Sequence, residues 1–132
     1  MMRRLGEARV ARLATIGPEG RPHLVPITFV LTADEIQFAV DQKPKRTTDL
    51  QRLRNIAANP AVAVLVDHYE DDWTRIWWVR ADGRARVIES PDAAARAIDA
   101  LVARYPQYAS SRPPGPAVSI RIERLTGWAA TT

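Results

Sequence analysis

The sequence predicts a mainly β protein of the α+β class, built as a small antiparallel barrel with helices packed outside it. About seven short segments have the residue patterns of strands, and turn residues separate most of them. Only two segments show clear helical spacing, which is too few to wind a parallel sheet. At 132 residues the chain has the size of one domain, so we expect a single domain over 1–132.

The first part of the chain predicts three strands in a meander. Segment 9–16 alternates imperfectly between apolar and polar residues, and segment 22–31 is rich in Val, Ile, Thr and Phe. Gly17-Pro18-Glu19-Gly20 forms a turn between them. Pro26 inside the second segment indicates an edge position or a bulge. A further turn leads into a third strand over 36–40.

The middle of the chain predicts a loop, a helix and a buried strand. The loop is the cationic segment 41–46 (DQKPKR). Apolar residues then recur at helical spacing from Leu50 to Ala57, and Asn59-Pro60 ends the helix. The continuous apolar run 61–66 is typical of a strand buried on both faces.

The last part predicts three strands and a second helix. Segments 73–80 and 84–89 form two strands, and Asp82-Gly83 between them predicts a tight hairpin. Ser90 caps a helix that has proline at its first position and extends to Arg104. A final strand covers 117–128.

The composition excludes several classes of protein. Cysteine is absent, which removes disulfides, thiolate metal sites and cysteine nucleophiles. No apolar run approaches the roughly 18 residues of a membrane helix, and the N-terminal residues lack the apolar core of a signal peptide. A net charge of +4 mildly favours anionic partners but is too small to indicate a nucleic-acid binder. We therefore expect a cytoplasmic protein with no membrane or nucleic-acid partner.

The cationic loop predicts an anion site. Lys43, Lys45 and Arg46 fall within four residues, and the two lysines are the only ones among 19 basic residues. They precede a helix whose first N–H groups are unpaired and whose dipole end is positive, an arrangement that binds anions. The Thr47 hydroxyl would cap the helix or donate to a phosphate. The alternative is a solvated basic turn without a ligand.

Tryptophans form a second candidate cluster. On one strand, Trp73 and Trp77 would share a face and Trp78 would point the other way. One face would then enter the core while the other lines a flat apolar pocket or a subunit interface; plain core packing is the alternative for each ring. Arg80 beside them either pairs with an anion or covers a ring with its stem.

No nucleophile or acid–base pair is evident. His23 and His68 lack metal-ligand spacing, and the acidic segment 67–72 lacks the glycine and distal glutamate of a calcium loop. We therefore predict no metal site. The common nucleophile-elbow and phosphate-loop motifs are also missing. An anion site with an aromatic wall favours a protein that leaves the chemistry to a bound organic cofactor.

The order of these segments resembles the pyridoxamine 5′-phosphate oxidase-like (PPOX class) FMN-binding split-barrel superfamily. The most specific segments are 9–15 (RVARLAT), 20–29 (GRPHLVPITF), 39–46 (AVDQKPKR), 55–72 and 73–83 (WTRIWWVRADG). The chain is most similar to the actinobacterial branch that depends on the deazaflavin coenzyme F420. The resemblance implies an antiparallel split β-barrel of about seven strands with two to three peripheral helices. It also implies a homodimer with the cofactor at the subunit interface.

The resemblance further implies where a cofactor binds. The family holds the phosphate with a Ser-Arg-Lys-like run after the third strand; here Pro44 replaces the serine, and Thr47 would substitute for its hydroxyl. The family triplet Gln-Val-Arg is here Trp78-Val79-Arg80, which removes a glutamine contact to FMN and suits a different ring or an extra stacking wall. The cofactor-binding residues implied in this way are Val25, Pro26, Ile27, Thr28, Ala39, Val40, Lys43, Lys45, Arg46, Thr47, Trp78 and Arg80.

The implied activity is that of a coenzyme F420-dependent oxidoreductase that transfers a hydride between the deazaflavin and a small organic acceptor. No catalytic residue is assigned, since the protein would supply orientation and exclude water. The alternatives are an FMN-binding oxidoreductase of the same fold and a deazaflavin-binding protein without turnover. The C-terminal Arg-x-His pattern of the oxidase is absent, so oxidation of pyridoxine phosphate is not expected.

Overall fold

A computed structural model describes residues 1–40 and 51–131. In this part of the chain seven strands form one antiparallel sheet with the order β2-β1-β5-β6-β7-β4-β3. The strands are β1 (Ala11–Ile16), β2 (Pro22–Ile27), β3 (Val30–Thr32), β4 (Glu35–Ala39), β5 (Ala61–His68), β6 (Trp77–Val87) and β7 (Ala117–Ala129). The helices are α1 (Met2–Glu7), α2 (Gln51–Ala58) and α3 (Pro91–Arg104). The predicted fold class, a mainly β split barrel of about seven strands with peripheral helices, is confirmed as a curled half-barrel.

The core lies on the inner, concave face of the sheet. Strand residues alternate between this face and the outer face, as the two-residue period of a strand requires. Leu13, Val64 and Val79 are fully or almost fully buried inside, whereas their sequence neighbours on β1, β5 and β6 face outward. Leu5 of α1 and Ile56 of α2 join the same core.

Two of the predicted divisions between strands are wrong. The segment 22–31 is divided into β2 and β3, because the chain leaves the sheet edge at residues 28–29. The two strands predicted on either side of Asp82-Gly83 are one strand, β6, with an irregularity at that dipeptide. One error adds a strand and the other removes one, so the predicted number of strands is still correct.

In the two described segments, no helix is both long enough and apolar enough to cross a membrane.

Candidate functional site

A groove of about 700 Å³ lies on the outer face of the sheet, and this volume is within the range of small-molecule and cofactor sites. We call it the outer groove. Its floor consists mostly of small and aliphatic side chains on β1 and β5. The lining residues are Arg12, Ala14, Leu24, Ala63, Leu65, Asp67, Tyr69, Trp78 and Arg80.

The strand register brings these side chains together. Arg12 of β1 pairs with Leu65 of β5, and Leu65 pairs with Arg80 of β6. The two arginines therefore stand on either side of Leu65, with their Cα atoms about 10 Å apart, which is two strand spacings. In a neighbouring row, Trp78 pairs with both Asp67 and Trp128. The groove thus has an aliphatic floor, an aromatic wall and two guanidinium groups.

The charges of the outer groove favour an anionic ligand. Arg80 is paired with Asp82 at 3.4 Å, but both side chains are more than one third exposed, so this ion pair contributes little energy. Arg12 is exposed and forms no ion pair with any residue of the described segments. A carboxylate or phosphate in the groove would therefore meet cations that are largely available.

Several predicted cofactor contacts lie on or near this groove. Trp78 and Arg80 line it, as described. Pro26 is exposed on β2 and pairs with Arg12, so it borders the groove. Val25 and Ile27 lie on the inner side of the same strand, where Ile27 is only 5% exposed. A ligand on the outer face would therefore reach the backbone of these two residues and not their side chains.

Thr28 lies at a second, smaller pocket of about 360 Å³, which we call the tyrosine pocket. The Thr28 hydroxyl oxygen is 2.8 Å from the hydroxyl oxygen of Tyr108, in the turn that follows α3. The residues that line the pocket are Arg9, Val10, Thr28, Tyr105, Gln107 and Tyr108. Sequence analysis did not predict this pocket, because its two tyrosines are about 80 residues from Thr28 along the chain.

Ala39 and Val40 lie at the end of β4, which β7 separates from β6. Ala39 packs against the small core beneath α3. The Val40 N–H donates to the Pro116 carbonyl at 2.9 Å, and the Val40 carbonyl accepts from the Gly115 N–H at 3.3 Å. One copy of the chain therefore does not bring these two residues to the outer groove.

The remaining cofactor contacts stay predictions. Lys43, Lys45, Arg46 and Thr47 lie outside the described residues.

The tryptophans are arranged differently from the prediction. Trp73 is not on a strand: it is 75% exposed and begins a short 3₁₀ turn that Asp72 caps through the Thr74 N–H. Trp77 is half-buried on the inner face, with the Arg4 guanidinium 4.9 Å from its ring centroid. The predicted shared face of Trp73 and Trp77 is therefore wrong, because the strand begins only at Trp77.

The polar connection between β5 and β6 is held by local contacts. The Glu70 carboxylate contacts His68 and accepts from the Arg75 Nε at 3.2 Å.

Within the described part of the chain, no group of three or more His, Cys, Asp or Glu residues is placed to hold a metal ion.

Sequence analysis missed most residues of the outer groove, although a signal was present. The apolar run 61–66 was interpreted as a strand buried on both faces. Its even positions are buried, but Ala63 and Leu65 point outward and form the groove floor. Apolar residues on the outer side of an antiparallel strand indicate a surface that is covered by a ligand or a partner.

Comparisons with known proteins support this fold and a redox-related family. A 56-residue segment is 38% identical to the 5a,11a-dehydrotetracycline/5a,11a-dehydrooxytetracycline reductase of Streptomyces rimosus, and it spans 42% of this chain and 38% of that protein. The chain thus matches well under half of the length of this curated relative.

Solved structures share the architecture. A conserved hypothetical protein from Mycobacterium tuberculosis superposes with a TM-score of 0.76 at 24% identity, covering 97% of this chain and 81% of that one. A FAD-binding protein from Mesorhizobium loti superposes with a TM-score of 0.70 at 22% identity, covering 96% of this chain and 89% of that one. The haem storage protein HutZ from Vibrio cholerae superposes with a TM-score of 0.72 at 17% identity, covering 93% of this chain and 87% of that one. At these identities the likeness shows a common fold and nothing more.

The family itself is shown by a match along nearly the whole chain. The profile of the pyridoxamine 5′-phosphate oxidase family matches residues 1–129. This range includes every strand of the curled sheet and all residues that line the outer groove and the tyrosine pocket. The chain therefore belongs to the pyridoxamine 5′-phosphate oxidase family.

Proposed function

We propose that the protein is an oxidoreductase that transfers a hydride between the deazaflavin coenzyme F420 and a small organic acceptor. The observation that carries this proposal is the outer groove, where Trp78 borders an aliphatic floor and two arginines stand on either side of Leu65. Family membership and the segment similar to a reductase support redox chemistry.

The groove fits a flat, anionic cofactor. Ala14 and Ala63 have small side chains, so a planar ring can approach the sheet closely. The indole of Trp78 offers an apolar face for such a ring. Arg12 and Arg80 complement negative substituents, and Trp78 replaces the glutamine that the oxidase family uses at FMN.

The chemistry is divided between the cofactor and the chain. When bound in its reduced form, the deazaflavin would supply a hydride, and a proton from solvent would complete the two-electron reduction of the acceptor. The chain itself binds the anionic groups, orients the ring and excludes water. In this proposal Lys43, Lys45, Arg46 and Thr47 hold the phosphate.

The proposed assembly is a homodimer with the cofactor at the interface. Three large side chains at or beside the outer groove are more than half exposed: Leu24, Tyr69 and Trp128. An apolar patch of this kind on a sheet face marks an interaction surface, and a second copy would cover it. A second copy would also supply Ala39 and Val40, which one copy keeps away from its own groove.

The proposal is tested by titrating the purified protein with coenzyme F420, FMN and haemin while following tryptophan fluorescence. We expect F420 to bind in the micromolar range or tighter and to quench the fluorescence. The Trp78→Leu variant should lose affinity, and the matched Trp73→Leu variant should keep it because Trp73 lies outside the groove. Preference for FMN would support the flavin alternative.

Two other outcomes separate the remaining alternatives. Tight binding of F420 without reduction of any acceptor would identify a deazaflavin-binding protein without turnover. Binding of haemin alone, or of none of the three compounds, would overturn the proposed cofactor.

A further inference from the structure

The tyrosine pocket lies beside the outer groove, where β1 begins and β2 ends. Ala11 of β1 pairs with Ile27 of β2, so Val10 and Thr28 are neighbours at the next outward position. The next outward pair is Arg12 of β1 and Pro26 of β2. Each lies two residues along its chain from Val10 or Thr28, which is a distance of about 7 Å. A ligand in the groove and a ligand in the pocket would therefore lie side by side, with Arg12 and Pro26 between them.

The walls of the pocket suit a small planar group. The rings of Tyr105 and Tyr108 meet edge to face, with their centroids 5.9 Å apart. Val10 is 47% exposed and adds an aliphatic surface on the β1 side. A volume of about 360 Å³ lies at the small end of the range for ligand sites, so it accommodates one substituted ring and not a complete cofactor.

The pocket also carries positive charge. The Arg9 guanidinium lies 4.6 Å from the Tyr105 ring centroid, and Arg104 lies 5.3 Å from the same ring. The Arg9 guanidinium donates to the Arg104 backbone carbonyl at 2.9 Å. The Arg104 guanidinium donates to the Phe29 backbone carbonyl at 2.6 Å. Neither pairs with a carboxylate among the residues that the structure describes. Burial lowers the pKa of Arg104; the charge interaction with Tyr105 opposes this effect, and the Arg9 charge adds a smaller lowering.

A hydroxyl group completes the recognition elements. Either oxygen of the Thr28–Tyr108 pair can be the donor. When Tyr108 donates to Thr28, the Thr28 hydroxyl can direct its own proton to a ligand oxygen. The pocket therefore combines a cation, a hydroxyl donor and aromatic walls.

We propose that the tyrosine pocket binds the hydride acceptor, and that the acceptor is a small planar ring carrying a carboxylate that faces Arg9. The assignment to the acceptor rests on the proposed function, because it requires the deazaflavin in the adjoining groove. The preference for a planar carboxylate does not rest on the proposed function, because it follows from the pocket alone.

Calorimetry on the cofactor-free protein tests the preference for a carboxylate. It compares the binding of benzoate with that of its neutral isostere benzamide. We expect benzoate to bind about tenfold more tightly, the value of one charge-assisted contact. Arg9→Gln should remove this difference and Arg9→Lys should restore most of it. Equal binding of the two compounds, or no binding of benzoate, would overturn the proposal.

A second pair of variants locates the site without removing a charge. Val10→Trp should fill the pocket and abolish benzoate binding, and it should fold normally because Val10 is half exposed. Ile16→Trp is the matched control, since Ile16 is 37% exposed on the outward side of β1, which Val10 directly precedes, and it lines neither pocket. Benzoate binding that survives Val10→Trp would place the site elsewhere and overturn the proposal.

The assignment to the acceptor is tested separately in the F420-loaded protein. Benzoate should change the fluorescence of the bound deazaflavin, because the two ligands would lie side by side. Unchanged fluorescence with intact benzoate binding would overturn this assignment. Failure of F420 to bind would instead contradict the proposed function and leave the benzoate measurements valid.

Discussion

Gly83 lies so close to Arg121 on the neighbouring strand that a Cβ atom on Gly83 would be 2.2 Å from the Arg121 carbonyl oxygen. The contact occurs at the irregularity of the β6–β7 ladder, where Asp82 pairs with Arg124 and Gly83 with Ile122. Glycine is therefore required at position 83 for the close approach of two backbones, as at other strand bulges, and not for a turn.

Gly83→Ala should lower the free energy of unfolding by about 3 kcal/mol, because one of the two strands must move. Urea unfolding measures this loss. Gly20→Ala is a suitable control: Gly20 has a positive φ of 75° but open space around it, so about 1 kcal/mol is expected. Equal losses in the two variants would contradict the steric argument.

Tyr105→Phe should destabilise the protein by about 2 kcal/mol, because buried backbone groups lose their partner. The Tyr105 hydroxyl accepts from the Phe29 N–H at 3.1 Å and lies within hydrogen-bond distance of the Phe29 and Arg9 carbonyls. It thereby connects the end of α3 to the break between β2 and β3. Thermal and urea unfolding should show no comparable loss for Tyr69→Phe, because Tyr69 is 66% exposed.

Lys45→Ala should raise the dissociation constant for coenzyme F420 about tenfold, because a charge-assisted contact to the phosphate is lost. Fluorescence titration measures the change. Arg21→Ala removes one positive charge from an exposed turn and should leave the affinity near the wild-type value. An unchanged affinity in Lys45→Ala would remove the phosphate role of this residue.

Ala63→Arg should convert the proposed dimer into a monomer, because it places a charge at the centre of the outer face. Light scattering coupled to gel filtration measures the mass. Arg96→Ala on the exposed side of α3 should leave the mass unchanged. A wild-type protein that remains monomeric at high concentration would contradict the proposed dimer.

The Asp72 cap predicts a pH dependence of stability. The Thr74 hydroxyl and N–H both donate to the Asp72 carboxylate, at 2.6 and 3.1 Å, and these hydrogen bonds lower the pKa of Asp72 below its ordinary 3.8. A carboxyl whose pKa is lowered by folding stabilises the protein above its unfolded pKa, and this contribution disappears as the pH falls through the folded value.

The melting temperature of Asp72→Asn should therefore lie below that of the wild type at pH 5, and the difference should shrink as the pH falls towards about 2. Asp71→Asn is the control, because Asp71 is exposed and forms no hydrogen bond within the described segments. A difference between Asp72→Asn and the wild type that stays constant with pH would show that the cap does not depend on ionisation.

Local patterns determined much of the fold in advance. Alternation of apolar and polar residues located most of the strands, and Ser90 caps α3 through the Ala93 N–H as its position before a proline indicates. These features depend on residues within a few positions of each other, so the sequence alone contains the information. The same order of segments was sufficient to indicate the split-barrel family.

Contacts distant in sequence decided the rest. The Asp82-Gly83 pair has the same local signature in a hairpin and in a bulge, and only the neighbouring strand β7 selects the bulge. Likewise, the row of Arg12, Leu65 and Arg80 exists because three strands pair in one register. Register sets which side chains share the outer face, and it is determined by packing over the whole sheet. The sequence alone therefore indicated Trp78 and Arg80 as candidate site residues, whereas the tertiary structure placed them in one groove with Arg12 and formed the neighbouring tyrosine pocket.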